Sequence, residues 1–172
     1  MHTFLQGSRN IGKSTVISKT LDILAGNNPV LPGGFFSWNG GADDPNVYMR
    51  PARSEPDKDR IILAVFDSVK GGLVCDVRAF EKDGVRILRD RAGSNLIIMD
   101  ELGYLERDAP LFRKAVLEIL DEEVPVLGVM RLGDFEWHDA IKQHPLVRIY
   151  EVNEKNRDTL PHELAARISL RI

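Results

Sequence analysis

The stretch that decides the fold is Gly7 to Ser14, which reads G-S-R-N-I-G-K-S and follows a short apolar segment, His2 to Gln6. It matches the pattern G-x-x-x-x-G-K-[S/T], in which glycines let backbone N–H groups turn inward around phosphate oxygens. A helical spacing of apolar residues follows at once and continues to Leu24. A strand, a glycine-rich loop and a helix N-terminus in this order predict a phosphate-binding loop, or P-loop, for the triphosphate of ATP or GTP.

The residues of the P-loop have expected roles in holding the nucleotide. Lys13 is expected to reach the β- and γ-phosphates as a mobile positive charge, and it is a catalytic as well as a binding candidate. The Ser14 hydroxyl is expected to coordinate Mg²⁺. The predicted nucleotide-contacting set consists of Gly7, Ser8, Arg9, Asn10, Ile11, Gly12, Lys13, Ser14 and Thr15.

A second signal is an apolar run that ends in two acids, Leu96 to Met99 followed by Asp100 and Glu101. A buried parallel strand delivers its last residues to the carboxyl edge of the sheet, where ligands bind in open α/β folds. Asp100 is therefore a candidate Mg²⁺ ligand through a water, and Glu101 is a candidate base that polarises the water attacking the γ-phosphate. The alternative is that the two acids only end a strand or cap the next helix.

Arg131 is a further catalytic candidate. It follows the apolar strand predicted from Val126 to Met130 and should also reach the carboxyl edge of the sheet. An arginine at this edge can stabilise charge on the γ-phosphate and raise the rate of hydrolysis by orders of magnitude. A surface salt bridge is an equally good interpretation of this residue.

Strand-length apolar runs alternate with helical patterns along the chain, and further helical patterns lie at Leu111 to Leu120 and Thr159 to Ile172. Strands that are apolar on both faces and alternate with helices predict an α/β protein whose central sheet is mainly parallel. The length suits a single domain over residues 1–172. Between the P-loop helix and the acidic strand there is room for an additional strand, at Ile61 to Phe66 or Leu73 to Val77.

Residues 26–59 break this alternation, because they are rich in Gly, Pro, Asn and Asp. A structureless loop of this length is unusual in a compact domain, so a short β-hairpin inserted after the first helix is predicted, with its turn at Asn39-Gly40-Gly41. Trp38 is expected to anchor the hairpin rather than to stack on a ligand. A mobile surface loop is the alternative. The segment is also a candidate surface for a protein partner.

Composition and charge argue against several functions. A net charge of -3 gives no general attraction for nucleic acid, and no apolar run reaches the roughly 18–20 residues that span a bilayer. The N-terminus lacks the features of a secretory signal, so a cytoplasmic location is expected. Cys75 lies in an apolar run and is expected to be a buried structural thiol. His138 has no ligand spacing around it and is expected to be a solvated surface residue.

Four blocks of sequence occur in an order typical of one family. The first is the P-loop followed by Gly34-Phe35-Phe36-Ser37, and the second is the acidic block Ile98 to Glu106, I-M-D-E-L-G-Y-L-E. The third is Pro125-Val126-Leu127-Gly128, and the fourth is Val152 to Asp158, which contains Asn-Arg-Asp. Over most of its length the chain resembles the nucleoside-triphosphatases first recognised in hyperthermophiles, a family that includes the human cancer-related NTPase.

The resemblance implies a RecA-like α/β domain of the P-loop NTPase superfamily, a three-layer sandwich that hydrolyses several nucleoside triphosphates slowly with Mg²⁺. It also implies that Asn156 and Arg157 lie by the base, where a guanidinium can stack on a purine without reading its identity. An equal alternative places Arg157 at a helix N-terminus, paired with Asp158 or Glu154. Residues 39–59 match the family poorly, which leaves a different phosphate acceptor or partner open.

Hydrolysis of nucleoside triphosphates with broad base preference is the leading prediction, and two other functions stay open. A nucleotide or nucleoside kinase would use residues 33–53 to bind an acceptor, with Arg50, Arg53 and Arg60 placed over phosphates. A binding switch would instead use the bound nucleotide to reshape residues 26–59 for a partner protein.

Overall fold

The computed structural model describes residues 1–27, 29–56 and 58–172. Strands and helices alternate along most of the chain, except for four consecutive strands after the first helix. In chain order the elements are β1 (His2–Gln6), α1 (Lys13–Ala25), β2 (Pro32–Asn39), β3 (Val47–Pro51), β4 (Ile61–Asp67), β5 (Gly72–Cys75), a π-helical turn (Ala79–Gly84), α2 (Val85–Arg89), β6 (Leu96–Leu102), a 3-10 turn (Leu105–Asp108), α3 (Pro110–Leu120), β7 (Val126–Met130), α4 (Glu136–Lys142), β8 (Val147–Glu151) and α5 (Leu160–Ser169).

One mixed eight-stranded sheet contains these strands in the order β5-β4-β3-β2-β6-β7-β1-β8. The strands β2, β6, β7, β1 and β8 pair in parallel, whereas β3, β4 and β5 continue the sheet in antiparallel fashion. The prediction of a mainly parallel sheet is therefore confirmed. Because β1 and β6 run in the same direction, the P-loop and the two acids meet at the same edge of the sheet.

The strand that separates β1 from β6 within the sheet is β7. The strands predicted from Ile61 to Phe66 and Leu73 to Val77 exist as β4 and β5, but they lie at the far edge of the sheet. All five residues of β7 are buried. With two strand spacings between them, β1 and β6 lie roughly 10 Å apart, which leaves room for a triphosphate between the P-loop and the acids.

Helices cover both faces of the sheet and complete three layers, as the family resemblance implies. On one face α1 and α5 pack together over a cluster that includes Leu5, Ile17 and Leu164. On the other face α2, α3 and α4 cover a larger cluster around Phe35 and Phe112, whose ring centroids lie 5.8 Å apart. Within the described ranges, no helix is both long enough and apolar enough to cross a membrane.

The predicted β-hairpin after the first helix is formed by β2 and β3. The connection between these strands covers Gly40 to Asn46, so it is longer than the turn predicted at Asn39-Gly40-Gly41. β2 is also a full strand of the central sheet, because it pairs in parallel with β6. Two residues of the 26–59 segment, 28 and 57, lie outside the described residues. Binding of a protein partner by this segment stays a prediction.

Trp38 lies on the hairpin as an anchor would. Its ring stacks on that of Tyr48 in the neighbouring strand, with centroids 5.6 Å apart and an interplanar angle of 24°. Tyr48 is buried, and its hydroxyl donates to the carboxylate of Asp44 at 2.7 Å. The aromatic pair therefore ties β2 to β3 next to the long connection.

Cys75 at the end of β5 is half-buried rather than fully buried. Its Sγ donates to the carbonyl oxygen of Leu105 at 3.1 Å. Burial, with smaller contributions from nearby carboxylates, raises the pKa of the thiol to about 11. A thiol that stays protonated is a poor nucleophile, which agrees with the structural role expected for it.

β2 can pair with β6 because residue 34 has no side chain. Gly34 has a φ of +80°, and a Cβ at this position would collide with the carbonyl group of Ile98 on β6. We expect Gly34→Ala to lower the free energy of unfolding by about 2–6 kcal/mol, since strain and overpacking each contribute about 1–3 kcal/mol. Urea unfolding followed by circular dichroism measures this loss.

A matched variant separates the collision from the strain. Gly41 has a φ of +105°, but a Cβ there would meet no atom within 4 Å. Gly41→Ala is therefore expected to lose only the strain, about 1–3 kcal/mol. Equal losses for the two variants would show that the contact with Ile98 does not matter.

His138 on α4 is completely buried, so the prediction of a solvated residue is wrong. Its ring packs against Phe135 and Trp137, with centroids 5.0 and 4.5 Å away. Neither ring nitrogen has a hydrogen-bond partner within the described part of the chain. Burial, together with the charge of Lys142, lowers the pKa of His138 to about 4. The two rings are close to His138 in sequence, but its complete burial also depends on the packing of α4 against α3 and β8, which only the folded chain shows.

Stability is expected to fall in mild acid because of His138. Its side chain in the unfolded chain takes up a proton below pH 6.5, whereas the folded ring stays neutral down to about pH 4. In that window the unfolded state binds more protons, so the free energy of unfolding decreases as the pH falls. Urea unfolding at several pH values should show a shallower decrease for His138→Phe than for the wild type. The exposed His162 is the control: His162→Phe should keep the wild-type slope, and a wild-type slope for His138→Phe would contradict the argument.

Candidate nucleotide-binding site

The loop between β1 and α1 folds into a tight turn that depends on glycine at two positions. Gly12 has a φ of +110° at the start of α1, and a Cβ on Gly7 would lie 2.6 Å from the carbonyl oxygen of Val152. Asn10 is also left-handed, with a φ of +63°, a conformation that Asn tolerates better than most residues. This turn brings the loop N–H groups and the N-terminus of α1 toward one anion site.

The side chain of Lys13 lies back across the loop and is only 9% exposed. Its Nζ donates to the carbonyl oxygens of Gly7 and Ser8, both at 3.0 Å. Oε2 of Glu101 lies 4.0 Å from the same nitrogen. The ammonium group is thus held mainly by neutral acceptors, and charged phosphate oxygens would form stronger hydrogen bonds with it.

Ser14 and Asp100 meet although 86 residues separate them in sequence, and the Ser14 hydroxyl donates to Oδ1 of Asp100 at 3.3 Å. Asp100 is 3% exposed. Burial raises the pKa of the Asp100 carboxyl to about 7, and the hydrogen bond from Ser14 partly opposes that rise. The pairing of β6 with β7 is irregular between Met99 and Leu102, so the acids stand at a break in the sheet.

Glu101 occupies the next position on β6 and faces the P-loop lysine. Its backbone N–H donates to Oγ of Ser37 on β2 at 2.9 Å, which holds the end of the acidic strand against β2. Its side chain is 33% exposed and reaches to within 4.0 Å of Lys13. A carboxylate that is anchored through its backbone and open on one side can accept a proton from a bound molecule.

Arg131 reaches the carboxyl edge of the sheet, as the sequence predicts. Its backbone N–H donates to the carbonyl oxygen of Leu102 at 2.8 Å, and its guanidinium carbon lies 4.9 Å from the ring centroid of Tyr104. The alternative of a surface salt bridge finds no support among the described residues, since Arg131 is in none of their ion pairs.

Glu106 is a site residue that the sequence reasoning did not single out. It is 3% exposed, and its Oε1 accepts the backbone N–H of Gly103 at 2.6 Å. Burial raises the pKa of this carboxyl to about 7, and the charge of Glu101 adds to that rise. An acid at the fifth position after Glu101, at the end of a mostly apolar block, is the one signal of it in the sequence. Only the fold shows that the block turns back toward the site.

Asn156 and Arg157 lie in the loop that follows β8, beside the P-loop. The side-chain amide of Asn156 donates to the carbonyl oxygen of Glu151 at 2.8 Å and accepts the backbone N–H of Asn153 at 2.9 Å. Both ends of this amide therefore hold the backbone of the loop in place. Arg157 is exposed, and its Cδ lies 4.0 Å from the position that a Cβ on Gly12 would take. Asp158, one of its expected partners, pairs instead with Lys19 at 3.2 Å.

A cavity of about 760 Å³ joins most of the predicted site residues. Its lining includes Gly7, Arg9, Asn10, Gly12, Lys13, Ser14, Thr15, Asp100, Glu101, Glu106 and Arg131. Ser8 contributes its carbonyl oxygen to Lys13, and Ile11 packs against the core under α1 and α5. The cavity therefore combines the phosphate loop, three acids and three cationic side chains at one edge of the sheet.

The arginines expected to bind phosphates of an acceptor lie elsewhere. Arg53 donates to the carbonyl oxygens of Pro32 and Ala92, at the end of the sheet opposite the P-loop. Arg50 lies over the ring of Phe36, and Arg60 over that of Tyr48. None of the three lines the cavity of the P-loop, so they do not form an acceptor phosphate site beside it.

This fold and this site define a nucleotide-binding protein of the P-loop class. A family model described as NTPase matches residues 2–165. The chain therefore belongs to the NTPase family, and it is an enzyme that hydrolyses nucleoside triphosphates.

Relatives of known name agree along nearly the whole length. The chain is 30% identical to the nucleoside-triphosphatase THEP1 of Thermotoga petrophila over 95% of this chain and 90% of that protein. It is 28% identical to the protein of the same name from Methanosarcina barkeri, over 94% and 93% of the two chains. The fold is similar to the crystal structure of THEP1 from Aquifex aeolicus, with a TM-score of 0.79 at 22% identity over 98% and 99% of the chains. It is also similar to the solution structure of a human cancer-related nucleoside triphosphatase, with a TM-score of 0.75 at 22% identity over 97% and 96%.

Proposed function

We propose that this enzyme cleaves the γ-phosphate of nucleoside triphosphates with the help of Mg²⁺, giving a nucleoside diphosphate and inorganic phosphate with little preference for the base. The proposal rests on two pairs across the P-loop and β6: Ser14 with Asp100 at 3.3 Å and Lys13 with Glu101 at 4.0 Å. In each pair a metal- or phosphate-binding group of the loop faces an acid. Both pairs lie where a nucleotide held by the P-loop would place its γ-phosphate.

Ser14 and Asp100 fit Mg²⁺ by the chemistry of their donor atoms. Mg²⁺ prefers hard oxygen ligands and is usually held by one or two carboxylates, several waters and the phosphates of the substrate. Bound there, the ion would neutralise charge that develops on the β- and γ-phosphate oxygens. Although burial raises the pKa of Asp100 to about 7, a cation at its oxygen favours the ionised form.

Four side chains of this chain would carry the reaction. Lys13 exchanges its contacts with the loop carbonyls for the β- and γ-phosphate oxygens. Glu101 orients the attacking water and accepts its proton while the water oxygen bonds to the γ-phosphorus and the bridging oxygen leaves with the diphosphate. Arg131 stabilises the charge on the γ-phosphate. Arg157 stacks on the base, a contact that every base can make.

A product assay tests this proposal. The enzyme is incubated with ATP, GTP, CTP or UTP, and the products are separated by chromatography. We expect equal amounts of nucleoside diphosphate and phosphate, with kcat/KM values within about tenfold of one another, because a stacking contact of ~1 kcal/mol discriminates little. EDTA should abolish turnover and excess Mg²⁺ should restore it. Release of pyrophosphate, activity that resists EDTA, or dependence on a single base would each contradict the proposal.

A further inference from the structure

The cavity that contains the P-loop continues past the acidic strand along the carboxyl edge of the sheet. Its far part, which we call the distal chamber, is lined by Trp38, Asn39, Val47, Leu63, Leu73, Phe80 and Leu105. Most of these residues come from β2, β3, β4 and β5. Since strands lie about 4.8 Å apart, β5 is roughly 19 Å from β6, and the chamber extends away from the P-loop on that side.

The nucleotide itself points the other way. Arg157, the candidate contact for the base, lies beside Gly12 on the β8 side of the P-loop. A triphosphate that runs from Arg157 along the loop ends with its γ-phosphate near Lys13 and Glu101, at the entrance of the distal chamber. In phosphoryl transfer the attacking and leaving oxygens lie roughly in line. The attacking group must therefore approach from the side of the distal chamber.

The walls of the distal chamber suit an organic molecule better than water. A water molecule needs about 30 Å³ and several polar partners, whereas this part of a cavity of about 760 Å³ is lined mainly by aromatic and aliphatic side chains. The one amide in its wall, that of Asn39, already bonds to Pro45 and Gly41. Pockets of roughly 300–1,000 Å³ with such walls are typical of sites that bind small organic ligands. An indole and a phenyl ring among the walls favour a flat aromatic ligand.

Charge narrows the class of ligand further. Glu106 and Glu101 line the cavity next to the chamber, and Arg50, Arg53 and Arg60 do not. The cations that do line the cavity, Arg9, Lys13 and Arg131, lie with the P-loop or serve the γ-phosphate in the proposed function. A ligand that already carries a phosphate group would therefore meet the carboxylates without a cation of its own. A neutral molecule would not meet this repulsion.

We propose that the distal chamber binds a second substrate, a neutral flat aromatic molecule that carries an alcohol group, and that the enzyme transfers the γ-phosphate to this alcohol. The alcohol oxygen bonds to the γ-phosphorus, the bond from phosphorus to the bridging oxygen breaks, and the nucleoside diphosphate leaves with the bonding electrons. Glu101 accepts the proton of the alcohol, as a catalytic carboxylate does in kinases. The products are a phosphate monoester and a nucleoside diphosphate. The inference rests on the proposed function, since it uses the same Lys13 and Glu101, with water as the competing acceptor.

A labelling experiment tests the transfer. The enzyme is incubated with ATP labelled in its γ-phosphate, Mg²⁺ and one alcohol: thymidine, adenosine, pyridoxine, or glycerol as a non-aromatic control. We expect labelled ester with at least one aromatic alcohol, none with glycerol, and less labelled phosphate wherever ester forms. Label in inorganic phosphate alone with all three aromatic alcohols would overturn the inference and leave the proposed hydrolysis intact. No release of label even without an alcohol would instead refute the proposed function.

Filling the chamber tests its location. Leu73→Trp places a large ring in the chamber, and we expect the ratio of ester to phosphate to fall by at least about tenfold. Leu105→Trp fills the same space from another element and serves if the first variant does not fold. The next residue, Val74, is 43% exposed and points to the opposite face, so Val74→Trp should leave both products unchanged. If the ratio of ester to phosphate stayed unchanged in the filled variants, the alcohol would not bind in the distal chamber and the inference would be overturned. A KM for ATP raised as much as the ester is lowered would place the base of the nucleotide in the chamber and overturn the inference.

Discussion

Replacing Lys13 by alanine is expected to lower kcat/KM for nucleoside triphosphates by about 10²–10³-fold, the typical effect of losing one group that stabilises charge in a transition state. The Nζ of Lys13 lies within 3.0 Å of two loop carbonyls and is only 9% exposed, so its charge is positioned before any nucleotide arrives. Because this charge contacts phosphates in both the ground state and the transition state, we expect KM to rise and kcat to fall. Steady-state phosphate release at several ATP concentrations separates the two effects.

A lysine on the same helix is the matched control for this variant. Lys19 is 49% exposed and pairs with Asp158 at 3.2 Å on the surface, and such pairs contribute little to stability. Lys19→Ala should therefore keep the kinetics of the wild type. Turnover by Lys13→Ala at a rate within a few-fold of the wild type would show that the P-loop does not hold the phosphates in the way we describe.

Replacing Glu101 by glutamine is expected to lower kcat by about 10²–10⁴-fold, the range for removing a general base. Glutamine keeps the size and shape of the side chain, and the contact from the backbone N–H of residue 101 to Ser37 remains. The negative charge 4.0 Å from Lys13 is lost, so nucleotide affinity should stay the same or increase. Equilibrium binding of a labelled nucleotide together with single-turnover hydrolysis measures both quantities.

The same substitution at a glutamate far from the site is the matched control for Glu101→Gln. Glu123 is exposed in the connection between α3 and β7, and Glu123→Gln should hydrolyse ATP like the wild type. The role of Glu101 as base would be refuted by a Glu101→Gln variant that releases phosphate at the wild-type rate. A lowered kcat together with much weaker binding would instead assign Glu101 to nucleotide positioning.

The contrast between the two variants separates binding from chemistry. Lys13 belongs to the loop that binds the phosphates, so its loss affects KM and kcat together. Glu101 acts on the attacking group, so its loss affects kcat alone. Substitutions of Ser14 or Asp100 would have a third kind of effect, a change in the dependence of turnover on Mg²⁺ concentration.

The P-loop and the acidic strand could be predicted because their signals are local. The spacing of Gly7, Gly12 and Lys13 specifies a backbone turn within eight residues, and the run from Leu96 to Glu101 specifies a buried strand with acids at its end. The alternation of such runs with helical patterns then indicated the parallel sheet, and hence that both ends meet at one edge.

Other features depend on neighbours that are distant in sequence, and those were missed or misread. His138 packs against the nearby rings of Phe135 and Trp137, but its complete burial depends on the packing of α4 against α3 and β8. Arg53 was a candidate phosphate ligand, yet it holds the start of β2 to the loop before β6. The residues of the distal chamber are scattered from Trp38 to Leu105, with no spacing that links them.

The sequence by itself determined the kind of chemistry, the binding and cleavage of a triphosphate, because a phosphate loop and an acid pair each consist of a few adjacent residues. Backbone geometry over such short spans follows from the residue types alone. Only the tertiary structure decided which strand lies between β1 and β6, which glutamate is buried beside the site, and that an apolar chamber opens next to the γ-phosphate. These depend on the order in which strands pair across the sheet, and pairing energies arise from contacts between segments that no local pattern specifies.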